Sequence, residues 1–359
     1  MITRTESTTQ TPQWQREMAE AFRHPAALLD FLGLSSAGPP APAGDAGFRT
    51  LVTRSFAKRM RRGDPHDPLL LQVLPQAVES MPAAGFVSDP VGDMGSIQRP
   101  GVLHKYHGRV LLITTGACAI HCRYCFRRHF PYSDESARRD HWSAALDYIR
   151  ATVSVSEVIL SGGDPLLLTD QNLRNLVDRI AEIPHVRRLR IHTRVPVVLP
   201  NRVDTGLLSW LDRCRLQKII VIHSNHAQEI DQEVADALAR ISSTGTRLLN
   251  QTVLLRGIND QVEVLGDLSE RLFDIGVWPY YLHCLDRVQG AAHFDVPLEQ
   301  ARQFARALAN CLPGYLVPKL VTEQAGAPSK IAVPPDYADS ERTRAGQTGT
   351  EEFETTWGR

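Results

Sequence analysis

The stretch Cys118-Ala119-Ile120-His121-Cys122-Arg123-Tyr124-Cys125 decides how this chain is read. It follows an apolar run, Val110-Leu111-Leu112-Ile113, so three thiols share one short loop after a strand-like segment. Thiolates are soft ligands, suited to zinc, copper(I) or iron–sulfur clusters. A closed structural zinc site takes four ligands, and an ordinary [4Fe–4S] cluster takes four cysteines. Here three are gathered and no fourth follows nearby. Three thiolates on a four-iron cluster leave one iron open for a substrate or cofactor to chelate. The other reading of the loop is free thiols, or zinc with His121 as the fourth ligand.

Composition narrows the field around this loop. A chain of 359 residues can bury a large core, as one domain with appendages or as two. Lys+Arg and Asp+Glu are both 40, so the formal net charge is zero. No basic tract argues for nucleic acid or an anionic membrane surface. No apolar run approaches the roughly 20 residues of a membrane span. The segment Met1–Gln13 is polar and Thr-rich, with no apolar core of a secretory signal. Six cysteines in a chain this long do not make a disulfide framework. A reducing cytoplasm, where thiolates stay available to metal, is the expected location.

Outward from the loop, short β-rich runs recur: Val110–Thr114, Glu157–Ser161, Arg188–Thr193, Lys218–His223, Arg247–Leu254 and Val277–His283. From Glu157 on, their starts lie 31, 30, 29 and 30 residues apart. Each gap holds a helical pattern: Asn172–Ile183, Thr205–Cys214, Glu229–Ser242 and Val262–Ile275. A strand, a helix and two loops need about that length. The longer first gap holds the cysteine loop and a helix over His141–Thr152. Six such units predict an α/β fold, an open partial (β/α)6 TIM-like barrel with helices outside. A doubly wound open sheet is the alternative that spacing alone leaves standing.

The flanks read differently. Met1–Gln13 is predicted disordered, and 14–108 is predicted to be a helical and irregular N-terminal region. Within it Trp14–Leu34 has helical spacing interrupted at Pro25, Ser35–Gly47 reads as a linker, and Phe48–Arg62 predicts a helix with a solvated basic face. The barrel is assigned 109–312, and 313–359 a C-terminal segment with a flexible tail. Cys214 and Cys311 fall on predicted helices as buried apolar fillers.

In such barrels chemistry sits where strands end. The ends here are polar throughout: the cysteines; Ser161-Gly162-Gly163-Asp164-Pro165, where glycine permits close backbone approach; His192-Thr193-Arg194; His223-Ser224-Asn225-His226; Asn250-Gln251; and His283-Cys284-Leu285-Asp286. One such end is ordinary. Six together point to a site.

With those motifs in view, residues from about Trp14 to Pro334 resemble the lysine 2,3-aminomutase family of radical S-adenosylmethionine (SAM), pyridoxal-phosphate (PLP) enzymes. The C-x3-C-x2-C loop followed by Phe126-Arg127-Arg128, the Ser161–Leu166 segment, Pro196–Arg202, Asn250–Asp260 and Tyr280–Phe294 carry the likeness in order. The segment Phe56–Pro65 and the short C-terminus resemble the branch that makes β-lysine for elongation factor P.

The resemblance implies a [4Fe–4S] cluster on Cys118, Cys122 and Cys125, with SAM chelated at the open iron. It implies SAM contacts from Tyr124 near the adenine, from the Ser161, Gly162, Gly163 and Asp164 segment, and from His223 and Gln251. It places the PLP lysine at Lys330, with Lys105, Tyr106, Arg109 and Arg202 around the cofactor. Arg127 would clamp the substrate carboxylate with its guanidinium fork. Asp286 and Glu323 would hold the lysine ε-ammonium; Glu323 stands where the parent mutases carry aspartate, so the lysine is expected to seat differently. A 5′-deoxyadenosyl radical would take hydrogen from the β-carbon of L-lysine, and the amino group would migrate from α to β, giving β-lysine, the (R) form in that branch. Expected partners are lysine, a flavodoxin- or ferredoxin-type electron donor, and elongation factor P with its ligase. The oligomeric state stays open. Other readings are a radical SAM aminomutase of another amino acid, and a non-catalytic iron–sulfur electron-transfer or sensor protein. The parent mutases carry C-terminal cysteines for a structural zinc; no cysteine follows Cys311, so no such site is expected.

Overall fold

Strand β4, Glu157–Gly162, is buried from Glu157 through Ser161, as a strand covered on both faces must be. It lies within one ten-stranded sheet whose spatial order follows the chain. The computed structural model describes residues 11–34, 48–133 and 142–335. Strands β1 (Ile97–Arg99) and β2 (Val102–Tyr106) lead antiparallel into β3 (Arg109–Thr115). From β3 the strands run parallel: β4, β5 (Arg188–Thr193), β6 (Gln217–His223), β7 (Arg247–Val253), β8 (Trp278–His283) and β9 (Lys319–Thr322). Strand β10 (Ile331–Ala332) closes antiparallel on β9. No pairing joins β10 to β1 among the described residues, so the barrel is open.

All six predicted strands are present, within a residue or two of the expected bounds. Strands β1, β2, β9 and β10 were not anticipated, and they carry the sheet beyond the assigned 109–312 on both sides. They are two to five residues long, too short for an alternating pattern to stand out.

The helices lie outside for the predicted reason. In α6, Asp170–Ala181, the residues Leu173, Leu176, Val177 and Ile180 form one apolar stripe and are buried, while Thr169 caps the first turn through Asn172 N–H at 3.4 Å. Each such fully buried side chain contributes roughly 1.5–3 kcal/mol. After the one-turn α7 (Val195–Val198), helices α8 (Thr205–Arg213) and α9 (Gln232–Ser242) repeat the design, with Asp204 and Asp231 as caps. With α5 (Ser143–Ala151) they pack on the sheet in the principal core; α10 (Val262–Asp274) and α11 (Leu298–Cys311) frame a second core with β8 and β9.

The N-terminal region is laced to the cysteine loop. Helices α1 (Gln13–Ala19) and α2 (Pro25–Leu32) flank the expected break before Pro25. The predicted helix over Phe48–Arg62 is only one turn, α3 (Arg54–Ala57). Its basic face is not simply solvated: Arg59 is buried, donates to Val197 O at 2.6 Å and to Glu229 O, and lies 3.7 Å from Asp231. After α4 (Pro68–Leu71), Gln72 O accepts from Arg123 N–H at 2.8 Å, and Leu51 O accepts from His121 N–H at 2.9 Å. Cys214 is half-buried, but Cys311 is exposed at the end of α11, contrary to the filler reading. Residues 1–10, the predicted linker at 35–47 and the tail from 336 lie outside the described residues.

Candidate active site

The three thiols stand at the top of the barrel on a loop fixed from three sides. From below, Gly162 and Gly163 meet its backbone. A Cβ on Gly163 would lie 2.3 Å from Ala117 O, and one on Gly162, at φ +122°, would lie 2.5 Å from Thr115 O. Gly163 N–H donates to Thr115 O and Asp164 N–H to Ala117 O, both at 2.7 Å. These glycines therefore permit contact between two backbones rather than with a ligand alone, a closer constraint than the sequence suggested. The Gly162 carbonyl accepts from Tyr132 OH at 2.9 Å.

From one side comes a buried ion cluster. Glu79 accepts from Arg123 Nε at 2.9 and 3.1 Å and from Arg128 Nη2 at 3.0 Å. All three side chains are at most 2% exposed. From the other side Arg194 Nη1 reaches Cys122 Sγ and Tyr124 OH, each at 2.7 Å, while Nη2 bonds Gln72 and Glu229 at 2.7 and 2.9 Å. Tyr124 OH also meets His223 Nε2 at 2.8 Å. Burial pushes the Cys125 thiol up to about 11 and raises Cys118 as well, with neighbouring cysteines adding to it. Iron would reverse that, since a coordinating thiol is deprotonated outright.

Cubane irons each take a different thiolate, so the ligands stand apart. Among the described residues no three His, Cys, Asp or Glu side chains converge as a single ion would need. Three neighbouring cysteines with no fourth fit an open-iron cluster. His121 Nδ1 is engaged with Arg49 O at 2.6 Å, and its ring stacks on Phe48.

A second pole lies beside the cysteines, made of alternating charges. Glu323, just after β9, pairs with Lys330 and accepts from Lys105 Nζ at 3.2 Å. Lys105, on β2, pairs with Asp93 at 2.6 Å. Asp93 accepts from Arg127 Nε at 2.7 Å, and Arg127 Nη1 donates to Ser161 Oγ at 3.1 Å. Burial would raise the Glu323 carboxyl, but Lys330 and Lys105 outweigh it and hold it below the usual range. Asp286 feels the same neighbours without a salt bridge of its own among the described residues. Burial, then the Glu323 charge, pushes it up to about 7. Tyr106 lies beside Glu323 with no hydrogen bond of ordinary geometry at its buried hydroxyl. Arg109 stacks 4.7 Å over its ring and has no ion-pair partner among the described residues. An orphaned hydroxyl and an unpaired guanidinium beside a lysine suit a phosphorylated cofactor that the lysine anchors.

The structure brings together most of the expected site residues and separates some. Lys330, Glu323, Asp286, Lys105, Tyr106, Arg127 and Ser161 share one neighbourhood. Lys105 is engaged with two carboxylates and Val91 O, so it bridges acids rather than standing ready for a phosphate. Arg202 is a correction. It is fully buried; Nε donates to Leu166 O, Nη2 to Leu168 O and Asp170, Nη1 to Asp204, and its guanidinium lies under Trp14, so four of its five donors are engaged away from Lys330. The Asp164 side chain is engaged within the protein. Its carboxylate accepts from Thr193 Oγ1 and from the backbone N–H of Leu166, Arg194 and Val195, which ties the loops after β4 and β5 together. Gln251 sits on β7 opposite His223 and is half-buried.

Sequence reasoning missed Asp93, Glu79, Tyr132 and the role of Arg194. Asp93 and Glu79 stand in a breaker-rich segment with no periodicity to mark them. Arg194 had a signal, its place at a strand end, but nothing to say that it faces a cysteine.

An open parallel barrel with three cysteines of this spacing at its mouth defines a radical SAM protein. The radical SAM superfamily profile matches residues 112–268. The chain is 46% identical over 319 residues to the L-lysine 2,3-aminomutase of Escherichia coli, covering 88% of this chain and 93% of that one. It is 46% identical to the Haemophilus influenzae protein of the same name, over 79% of this chain and 84% of that one. It is 37% identical to the Clostridium subterminale protein of the same name, over 82% and 70%. Among solved structures a radical SAM methyltransferase from Sphaerobacter thermophilus aligns at TM-score 0.40 and 19% identity, over 62% of this chain and 68% of that one. This chain belongs to the lysine 2,3-aminomutase family. Its cofactors are those of the family: a [4Fe–4S] cluster, SAM and PLP.

Proposed function

We propose that this protein converts L-lysine to β-lysine, with Cys118, Cys122 and Cys125 holding the cluster and Lys330 anchoring PLP. One observation carries the reading: an amine, a guanidinium and two carboxylates, Lys330, Arg127, Asp286 and Glu323, belong to one connected set of charges, joined through Lys105 and Asp93, beside the cysteine loop. PLP, when bound, supplies a π-system that accommodates an unpaired electron during amino migration. The chain's own residues do the rest. Arg127 presents a fork to the substrate carboxylate, and Asp286 with Glu323 receives the ε-ammonium. His223, Gln251 and Tyr124 border the SAM side, and the packed strand ends exclude water from the radical. Two facing acids disfavour glutamate as substrate.

The finer reading is that the product is (R)-β-lysine, destined for elongation factor P through its ligase. A flavodoxin- or ferredoxin-type protein supplies the electron, and the reaction runs in the cytoplasm. Among the described residues no helix is long and apolar enough to cross a membrane. The test uses anaerobic, reconstituted protein with SAM, PLP, a strong reductant and β-deuterated lysine. β-Lysine with deuterium in 5′-deoxyadenosine is the expected result. SAM cleavage without β-lysine would reject lysine as the substrate, and no cleavage with an intact cluster would favour an electron-transfer or sensor role.

A pH dependence follows from Asp286. With its carboxyl pushed up to about 7, the acid is protonated below that pH, and a neutral acid does not pair with an ammonium. Lysine binding then releases a proton. Affinity should fall as pH drops below about 7, approaching about tenfold per pH unit for one linked proton. Engaging Lys330 with the cofactor removes a positive neighbour, which moves the transition up, not down. Lysine titrations of PLP-loaded protein between about pH 6 and 9 read the slope directly, and Asp286→Asn should flatten it. A flat profile in the unsubstituted protein would remove Asp286 from the ammonium site.

A further inference from the structure

Asp93 has no place in the roles assigned so far, yet it is 3% exposed and carries two ion pairs. It stands just before the 3-10 turn Met94–Ser96, and its backbone is held there: its N–H donates to Asp89 Oδ1 at 2.9 Å and its carbonyl accepts from Ser96 N–H at 3.0 Å. The carboxylate divides its oxygens. Oδ2 takes Arg127 Nε at 2.7 Å, and Oδ1 takes Lys105 Nζ at 2.6 Å. Burial works against the charge, but the Arg127 guanidinium and the Lys105 ammonium outweigh it and keep the carboxyl below its ordinary range. Asp286 adds a like charge from the barrel side, and Tyr132 faces Arg127.

The consequence lies in the geometry of Arg127. Its Nε edge is closed by Asp93, and Nη1 is fixed by Ser161 Oγ. Nη2 makes no hydrogen bond among the described residues. A guanidinium is planar, so pinning Nε and Nη1 fixes where Nη2 points. We infer that Asp93 is a positioning residue that aims Arg127 at the substrate carboxylate and so sets the preference for a carboxylate over a neutral group at that end. This rests on the proposed function of Arg127 as the carboxylate clamp. Through Lys105 the same residue also reaches Glu323, so both ends of the substrate share one buried anion.

The test compares two ligands that differ only at the carboxylate, L-lysine and L-lysinamide. Each is titrated into reconstituted holoenzyme and followed by the cofactor's visible absorbance. Both share the ammonium end, so the ratio of their affinities cancels any change transmitted through Lys105 and Glu323. Unsubstituted protein should prefer lysine. Asp93→Asn should reduce that preference by about tenfold, the order of one charge-assisted hydrogen bond. Asp93→Glu, which keeps the charge, should restore it. Iron and PLP contents of both variants are measured alongside. A preference unchanged in Asp93→Asn, or equally absent in Asp93→Glu with cofactors bound, overturns the inference while leaving the aminomutase reading in place. Unsubstituted protein that does not prefer lysine over lysinamide would overturn the clamp role of Arg127, and this inference with it.

Discussion

Lys330→Ala protein should purify without the visible absorbance of bound PLP, and β-lysine formation should fall by on the order of 10³-fold or more. A covalently anchored cofactor is held at an effective concentration that free PLP does not reach. The ion pair of Lys330 with Glu323 complicates a simple alanine comparison, because removing the amine also leaves Glu323 with Lys105 alone. Lys330→Arg separates the two effects. It keeps a cation beside Glu323 but cannot condense with the cofactor aldehyde. Both variants should lose the band, and both should keep their fold, since Glu323 retains Lys105 as a counter-charge in either. Retention of the band in Lys330→Arg would place the anchor elsewhere. Circular dichroism and iron content serve as controls.

The second large effect is expected at Glu79. Its carboxylate is the shared anion of Arg123 and Arg128, and Phe48 lies against both guanidiniums at 5.1 and 4.8 Å. Glu79→Gln leaves two buried cations without a counter-charge. Breaking a buried pair by removing one partner costs about 3–5 kcal/mol, mostly because the remaining charge is uncompensated. The denaturant midpoint should drop accordingly. Arg123 lies between Cys122 and Cys125 in the chain, Arg128 follows Cys125 closely, and Arg128 Nη1 donates to Arg123 O at 3.0 Å. The cysteine loop should therefore loosen with them, and iron retention after reconstitution should fall. An unchanged midpoint with full iron content would show that a neutral amide satisfies both arginines, and the cluster would then be packing rather than charge.

The Asp286, Asp93 and Lys330 predictions probe one constellation from three directions. The Glu323 charge helps push the Asp286 carboxyl up, so Glu323→Gln should lower the Asp286 transition. Lysine titrations of that variant across pH would show the profile moving toward lower pH. A profile that stays in place would separate the two acids.

Much of this protein was legible from residue order. The spacing of Cys118, Cys122 and Cys125, the recurrence of strand and helix at intervals of 29 to 31 residues, and the polar strand ends are local patterns, and local patterns survive without knowledge of what lies across the fold. Helix caps such as Thr169 and Asp204 act within three residues, so they too could be read directly. What was misread shares a cause. Phe48–Arg62 has helical composition, yet only one turn forms, because the backbone of Val52 is paired with Phe22, thirty residues back along the chain. Arg202 matched a motif near the cofactor, but its donors close on backbone carbonyls of the loop after β4.

The site divides in the same way. Which residues could hold a cluster was carried by the cysteine spacing, a local property, while the PLP anchor at Lys330 and the carboxylate clamp at Arg127 were implied by the family resemblance. Which of them touch was decided by the sheet. Asp93 meets Arg127 across 34 residues, Lys105 meets Glu323 across 218, and Arg194 meets Cys122 across 72. Those meetings depend on strand order, register and the curl of an open barrel, and a linear pattern of residues contains no term for distance across it.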